Sequence, residues 1–305
     1  YDFGHPLAPV FTDSAASYQA LQHPLLLPGL EAVDSRFMHT FDPTVIHLQL
    51  FGFAVAFVGG GWCLLRAYAS QLLLAAVLLA SITTSTFYDQ LQSNLADMPL
   101  AIFVALGVAA LATWLRTGAG GMLPAATLFL GAAALTKNEG EVFALTAFLA
   151  AALAGGRARL RPLAFGAAAV VAIDLPWRIW IWIHHVKIAE YSISNLFNPT
   201  YLWHHRSRVE PSASELWTQI TQFGAFGLLV PIVFAGIVGS FVLRRYRPAA
   251  FGTAWLLLSF AGLLAIYWIS TNSVSSHLAD SSNRTIDSLV FGGALLVPAL
   301  LPGRT

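Results

Sequence analysis

The chain has 305 residues, 57% of them hydrophobic and 10% charged, with a formal net charge of +1 and a mean hydropathy of +0.67. Soluble domains carry about 25% charged residues, so a soluble fold is excluded, and no basic, aromatic-laced patch offers itself to nucleic acid. The single cysteine, Cys63, rules out a disulfide or zinc framework and reads as a small buried residue in an apolar run.

Residues 1–44 are polar and rich in proline and aromatics, with no spanning segment. A polytopic protein seldom opens that way, so a preceding helix is expected upstream of Tyr1. The stretch F-T-D-S-A-A-S-Y-Q-A-L-Q-H-P-L-L-L-P at 11–28 reads as an ordered loop lying on the membrane, its L-L-L-P run dipping into the interface. Asp13, Tyr18 and His23 are its candidate substrate-facing groups.

Apolar runs follow at 45–65, 70–86, 98–115, 122–136, 141–155, 163–185, 219–243, 250–269 and 286–302. Most approach the roughly 20 residues that cross a bilayer as a helix. They are continuous, whereas a membrane barrel shows alternation. The expected fold is all-α, a polytopic transmembrane bundle of about nine helices. Residues 1–44 form an outer-face first loop and 45–305 the helical domain, with outer loops at 87–97, 187–218 and 270–285. The short runs 122–136 and 141–155 suit a tight hairpin dipping from one side.

Threading the runs alternately sorts the charges. Arg66, Arg116, Arg157, Arg159, Arg161, Arg244, Arg245, Arg247 and Arg304 fall on one side, without any acid. The positive-inside rule makes that side cytoplasmic. All 15 Asp and Glu and all 9 His fall on the other side or at adjoining helix ends. A bacterial plasma membrane with the working face toward the periplasm is the expected setting.

Four constellations on the acidic side carry chemistry. In L-A-D-M-P-L, Asp97 precedes a helix opened by Pro99; its bland reading is an N-cap. In T-K-N-E-G, Lys137 is a compact charge suited to phosphate, Glu139 can orient it, and Gly140 permits a sharp backbone; the bland reading is a solvated hairpin tip. In D-L-P-W-R-I-W-I-W-I-H-H, Arg178 is a weaker anion-binding candidate. Trp177, Trp180 and Trp182 fit an interfacial aromatic belt, and adjacent His184 and His185 chelate poorly. In S-S-H-L-A-D-S-S-N-R-T-I-D, Arg284 enters the last helix and can grip a phosphate with two parallel hydrogen bonds. No Walker loop, G-x-S-x-G elbow, H-E-x-x-H or paired C-x-x-C occurs, which argues against a nucleotide-driven pump or a soluble-type hydrolase.

F-T-D-S-A-A-S-Y-Q-A-L-Q-H-P-L-L-L-P-G-L-E-A, L-A-D-M-P-L-A-I-F, A-L-T-K-N-E-G and H-L-A-D-S-S-N-R-T, in that order, resemble the polytopic GT-C glycosyltransferases. The resemblance is nearest to bacterial relatives of the protein mannosyltransferases and of the lipid A aminoarabinose transferase. It implies an inverting transfer from a polyprenyl-phosphate sugar to a glycan, lipid or protein acceptor on the outer face. It implies Lys137 and Arg284 at the donor phosphate, Asp97 in support, and a divalent ion (magnesium or manganese) only if Asp97 takes one. It also implies a carboxylate base in the first outer loop, in a W-D-x-W-like stretch. No such stretch is present here, so the base is expected upstream of Tyr1. A transporter or lipid flippase, and a glycan polymerase or ligase using a lipid diphosphate donor, are the alternatives.

Overall fold

The computed structural model describes residues 23–40, 42–93, 95–186 and 191–301. Asp13 and Tyr18 lie outside the described residues. Among those described the chain is mostly helical with connecting turns, and its strand-like pairing is an isolated bridge between Tyr191 and Ser270.

Helix α1 (Leu26–Met38) precedes α2 (Pro43–Leu65), whose start is capped by the Asp42 carboxylate accepting from the Thr44 amide. Helices α3 (Gln71–Ile82) and α4 (Ser85–Gln92) form a pair bent by 55°. Then come α5 (Asp97–Thr117), α6 (Met122–Thr136), α7 (Asn138–Gly155) and α8 (Arg157–Ile183). Short helices α9 (Pro199–His204), α10 (Val209–Thr221) and α11 (Phe223–Phe226) lead to α12 (Leu229–Val242) and α13 (Tyr246–Trp268). The described chain closes with α14 (Val274–Thr285) and α15 (Asp287–Leu300).

Helices α2, α5, α8 and α13 are long and apolar enough to cross a membrane, and α3 with α4 adds a fifth if the bent pair counts as one span. Their burial separates two roles. Only 28% of the apolar window of α2, and of α8, is buried within the protein. Yet their exposed faces carry Leu48, Phe51 and Val55 on α2 and Phe165, Val171 and Leu175 on α8. A continuous apolar surface of that kind belongs against acyl chains, not water. This is a membrane protein. By contrast, 94% of the window of α5 is buried, and every residue of α15 is. These two helices form the axis, with α6, α12 and α13 packed around them.

Three sequence expectations change here. The run 219–243 is not one helix: α10 ends at Thr221, and Gly227 turns the chain at φ +53°, a conformation costly for any side-chain-bearing residue. The outer loops are partly helical. Helix α10 buries Ser212, Leu216 and Ile220 at four-residue steps, so a helical period ran through a segment too polar to be read as a span. Cys63 is exposed, not buried. It lies on α2, and in a bilayer the outward side of such a helix is as apolar as the core, so a small apolar residue has no reason to face in.

The charges do sort to opposite ends. Arg159 donates to the Trp114 carbonyl at 2.9 Å, Arg116 donates to the Tyr68 carbonyl, and Arg245 acts electrostatically on Arg116. The two hydrogen bonds join the α2–α3 turn, the end of α5 and the start of α8, and the Arg245 charge places the α12–α13 turn at the same end. The carboxylates gather at the other ends of α5, α7, α8 and α15.

Candidate functional site

The site starts from a helical hairpin with almost no loop. Lys137 follows the last residue of α6 and precedes the first of α7, and its extended backbone (φ −157°, ψ 152°) alone separates them. Such a break brings α7 hard against α6. A Cβ added to Gly140 would lie 2.0 Å from the Ala133 carbonyl oxygen, so this turn admits only glycine there. The glycine of T-K-N-E-G is therefore a packing requirement, and its consequence is the position of the lysine.

Lys137 reaches across to α5. Its Nζ donates to Asp97 Oδ1 at 2.8 Å and lies 3.2 Å from Glu139 Oε1. The Lys137 side chain is 14% exposed and that of Asp97 only 4%, so the hairpin tip is buried and not solvated. Burial lowers the ammonium's pKa, but the Asp97 and Glu139 carboxylates more than compensate and hold it above the ordinary lysine range. Lys137 is a permanent cation.

Asp97 does not cap its helix. Ala96 occupies the cap position without a side-chain bond, and Asp97 opens the first turn, where the positive end of the dipole favours a carboxylate. Its second oxygen faces Arg284 Nη1 at 3.7 Å. His23, on the segment before α1, lies close enough to act on the same charge. Arg284 comes from α14, which α13 holds in place: the Tyr267 hydroxyl bonds Ser281 Oγ at 2.9 Å and Thr285 Oγ1 at 3.2 Å, one turn apart on that helix. Arg284 also donates to the Asp280 carbonyl at 2.6 Å.

Donors remain. An ammonium has three N–H bonds and a guanidinium five. Lys137 uses two, on Asp97 and Glu139. Arg284 makes one short bond, and its approaches to Asp280 Oδ2 (3.5 Å) and Asp97 Oδ2 (3.7 Å) are charge contacts too long for good hydrogen bonds. Two cations, one from the α6–α7 break and one from α14, thus converge with unused N–H groups on one largely dry spot.

Arg178 does not join them. Its Nε donates to Asp174 Oδ2 at 2.7 Å, its Nη1 to Asn138 Oδ1 at 3.0 Å, and it also pairs with Glu141. This second network ties α8 to the start of α7 and leaves Arg178 committed. Trp182 is 76% exposed, as an interfacial belt requires, but Trp177 is buried and stacks on Trp180 at 5.1 Å. The Nδ1 atoms of His184, His204 and His205 bond carbonyls of their own helices.

Sequence reasoning missed three participants: Tyr267, Asn138 and Asp287. Asp287 opens α15, is fully buried, and neither of its oxygens has a hydrogen-bond partner among the described residues, though Asp97, Lys137 and Arg284 all act on its charge. A divalent ion does not fit Asp97, because a cation already stands at each of its oxygens. No group of three or more His, Cys, Asp or Glu among the described residues is placed to hold one.

Helices α10, α12, α13 and α15 line an open apolar cavity of about 350 Å³. Its walls include Ile220, Val233, Ile237, Phe260, Leu289 and Val290, the last two close to the start of α15. No protein family, curated protein or solved structure matches this chain.

Proposed function

We propose that this chain is an integral-membrane glycosyltransferase of the GT-C kind. It moves a sugar from a polyprenyl-phosphate donor to an acceptor at the acidic end of the bundle, which faces the periplasm of a bacterial plasma membrane. The observation that carries the reading is the convergence of Lys137 and Arg284, with N–H donors to spare, in a site largely closed to water. The apolar cavity running to Leu289 and Val290 supports it, because the donor is an anionic head on an apolar tail and needs both surfaces side by side.

The chemistry follows. The acceptor hydroxyl attacks the anomeric carbon from the side opposite the phosphate, and the carbon–oxygen bond to the lipid phosphate breaks. The bonding pair leaves with the phosphate, so negative charge grows on its oxygens. Lys137 and Arg284 meet that charge with fixed donors at low dielectric, where such preorganised contacts stabilise a transition state most. The acceptor's proton goes to a base. Asp97 is already paired at both oxygens, so its role is to hold the two cations in place.

The test is binding of a polyprenyl phosphate to the full chain in detergent, with the matching polyprenol as the uncharged control. A charge-assisted hydrogen bond contributes about 1.5–3 kcal/mol, so Lys137→Ala and Arg284→Ala each cost roughly tenfold to a hundredfold in phosphate affinity. Polyprenol binding stays constant. If both variants bind and transfer as the wild type does, the assignment is wrong. Preference for a lipid diphosphate over the monophosphate would favour a polymerase or ligase, and lipid movement without transfer a flippase.

A further inference from the structure

On the far side of α14 from this ion network lies a cavity of different chemistry. It measures about 510 Å³, within the roughly 300–1,000 Å³ span of small-ligand sites. Three walls contribute. Helix α4 supplies Ser85, Thr86, Asp89 and Gln90; α10 and the turn after it supply Glu215, Gln219 and Gln222; α14 supplies Ser282 and Asn283. Phe226 is the one aromatic among the lining residues, and it is buried. The walls are tied together, since Ser85 Oγ donates to the Gly224 carbonyl at 2.7 Å and joins α4 to α11, which follows α10. Gln219 Nε2 donates to Glu215 Oε1 at 2.8 Å, which sets the direction of that carboxylate.

We infer that this cavity binds a hydroxyl-rich ligand of the sugar class, neutral or carrying an ammonium group. Amides offer paired donors and acceptors, hydroxyls offer both, and carboxylates accept from neighbouring hydroxyls; vicinal diols on a ring need that mixture. No lysine or arginine is among the lining residues and two carboxylates are, so a phosphate or uronate would meet net repulsion. Asn283 and Arg284 are consecutive on α14. A sugar in the cavity therefore sits on the same helix that carries Arg284 to the ion network. This inference rests on the transferase reading for the ligand's role as substrate, but not for its binding.

The experiment is saturation-transfer NMR on the full chain in detergent, with free glucosamine, glucose and glucuronate as probes. Glucosamine and glucose receive saturation, and glucuronate binds at least about tenfold more weakly, the factor that 1.4 kcal/mol of charge repulsion gives. Ala279→Trp fills the cavity from an exposed position on its rim and abolishes the transfer. Glu215→Gln keeps the shape, removes one of the two carboxylates and narrows the gap between glucose and glucuronate. Absence of transfer with every sugar, or transfer that persists in Ala279→Trp, overturns the inference. Lipid-phosphate affinity is measured on the same samples. Its loss in Lys137→Ala with sugar binding intact separates the two sites, so either can fail alone.

Discussion

Replacing Gly140 with alanine sets two physical effects of opposite sign against each other. In the interior of a helix the change stabilises by about 0.8–1 kcal/mol. Here the new methyl carbon would lie 2.0 Å from the Ala133 oxygen and 2.3 Å from its carbonyl carbon. Ordinary C···O approaches are about 3.3–3.6 Å, so the overlap exceeds about 1 Å. Both atoms are helical backbone and cannot turn aside; α7 has to move off α6. Overpacking of that kind costs typically about 1–3 kcal/mol. Separation also draws Lys137 away from Asp97, and breaking a buried pair costs about 3–5 kcal/mol. Clash and ion loss outweigh propensity, and a net destabilisation of at least about 3 kcal/mol is expected. At roughly 2–4 °C per kcal/mol that lowers the unfolding temperature by about 6 °C or more. Thermal unfolding in detergent measures it, beside Gly52→Ala on α2, where an added Cβ meets nothing within 4 Å and no loss is expected. If Gly140→Ala unfolds at or above the wild-type temperature, the hairpin is not closed on Ala133 and the placement of Lys137 fails with it.

Three further outcomes follow from the same geometry. Arg178→Gln strands Asp174 and Glu141 and lowers the unfolding temperature, while affinity for a polyprenyl phosphate stays within about twofold; a tenfold loss would return Arg178 to the binding site. Lys137 has a folded pKa raised above the lysine range. Its contribution is therefore complete below the unfolded value of about 10.4 and is lost only as pH rises through the higher folded value. Phosphate affinity should show no lysine titration between about pH 7 and 10, and a fall there that Lys137→Arg abolishes would contradict the paired state. Ile237→Trp narrows the apolar cavity; it should weaken binding of a long-chain polyprenyl phosphate and spare a short-chain one, as paired titrations would report.

The spans were legible because the bilayer makes hydropathy a direct readout. Run 98–115 became α5 and run 122–136 became α6 with limits shifted by two residues or fewer. What hydropathy hides is the difference between an axis and a wall. Helices α2 and α5 have similar mean hydropathies, 1.8 and 2.1, yet 28% of one window and 94% of the other is buried in protein. Lipid and protein interior attract the same side chains, so the pattern has no polar stripe to mark the outer face. The helices in the outer loops were missed for a related reason. Helices α10 and α14 carry a helical period at low mean hydropathy, and a search for spans passes over them.

The charged cluster was legible one residue at a time. Lys137, Asp97 and Arg284 each interrupt or border an apolar run, where an ionisable side chain costs enough to need a reason. Their convergence was not legible, since Lys137 and Asp97 stand 40 residues apart and meet only when α6 packs on α5. Asp287 is the case in which the same cost was masked by its place in a helix. It stands just inside the run 286–302, while Arg284 stands just outside it, but an acid in a first helical turn also serves the dipole. A carboxylate serving only the dipole belongs at a solvated helix end. Asp287 is fully buried, and both its oxygens lack hydrogen-bond partners among the described residues. Leaving a buried polar group unsatisfied costs about 1–3 kcal/mol, more for a charge, while the dipole returns about 0.3–1 kcal/mol. The desolvation cost exceeds what the dipole returns. Helix stability alone therefore does not account for Asp287, and it belongs with the cluster beside it.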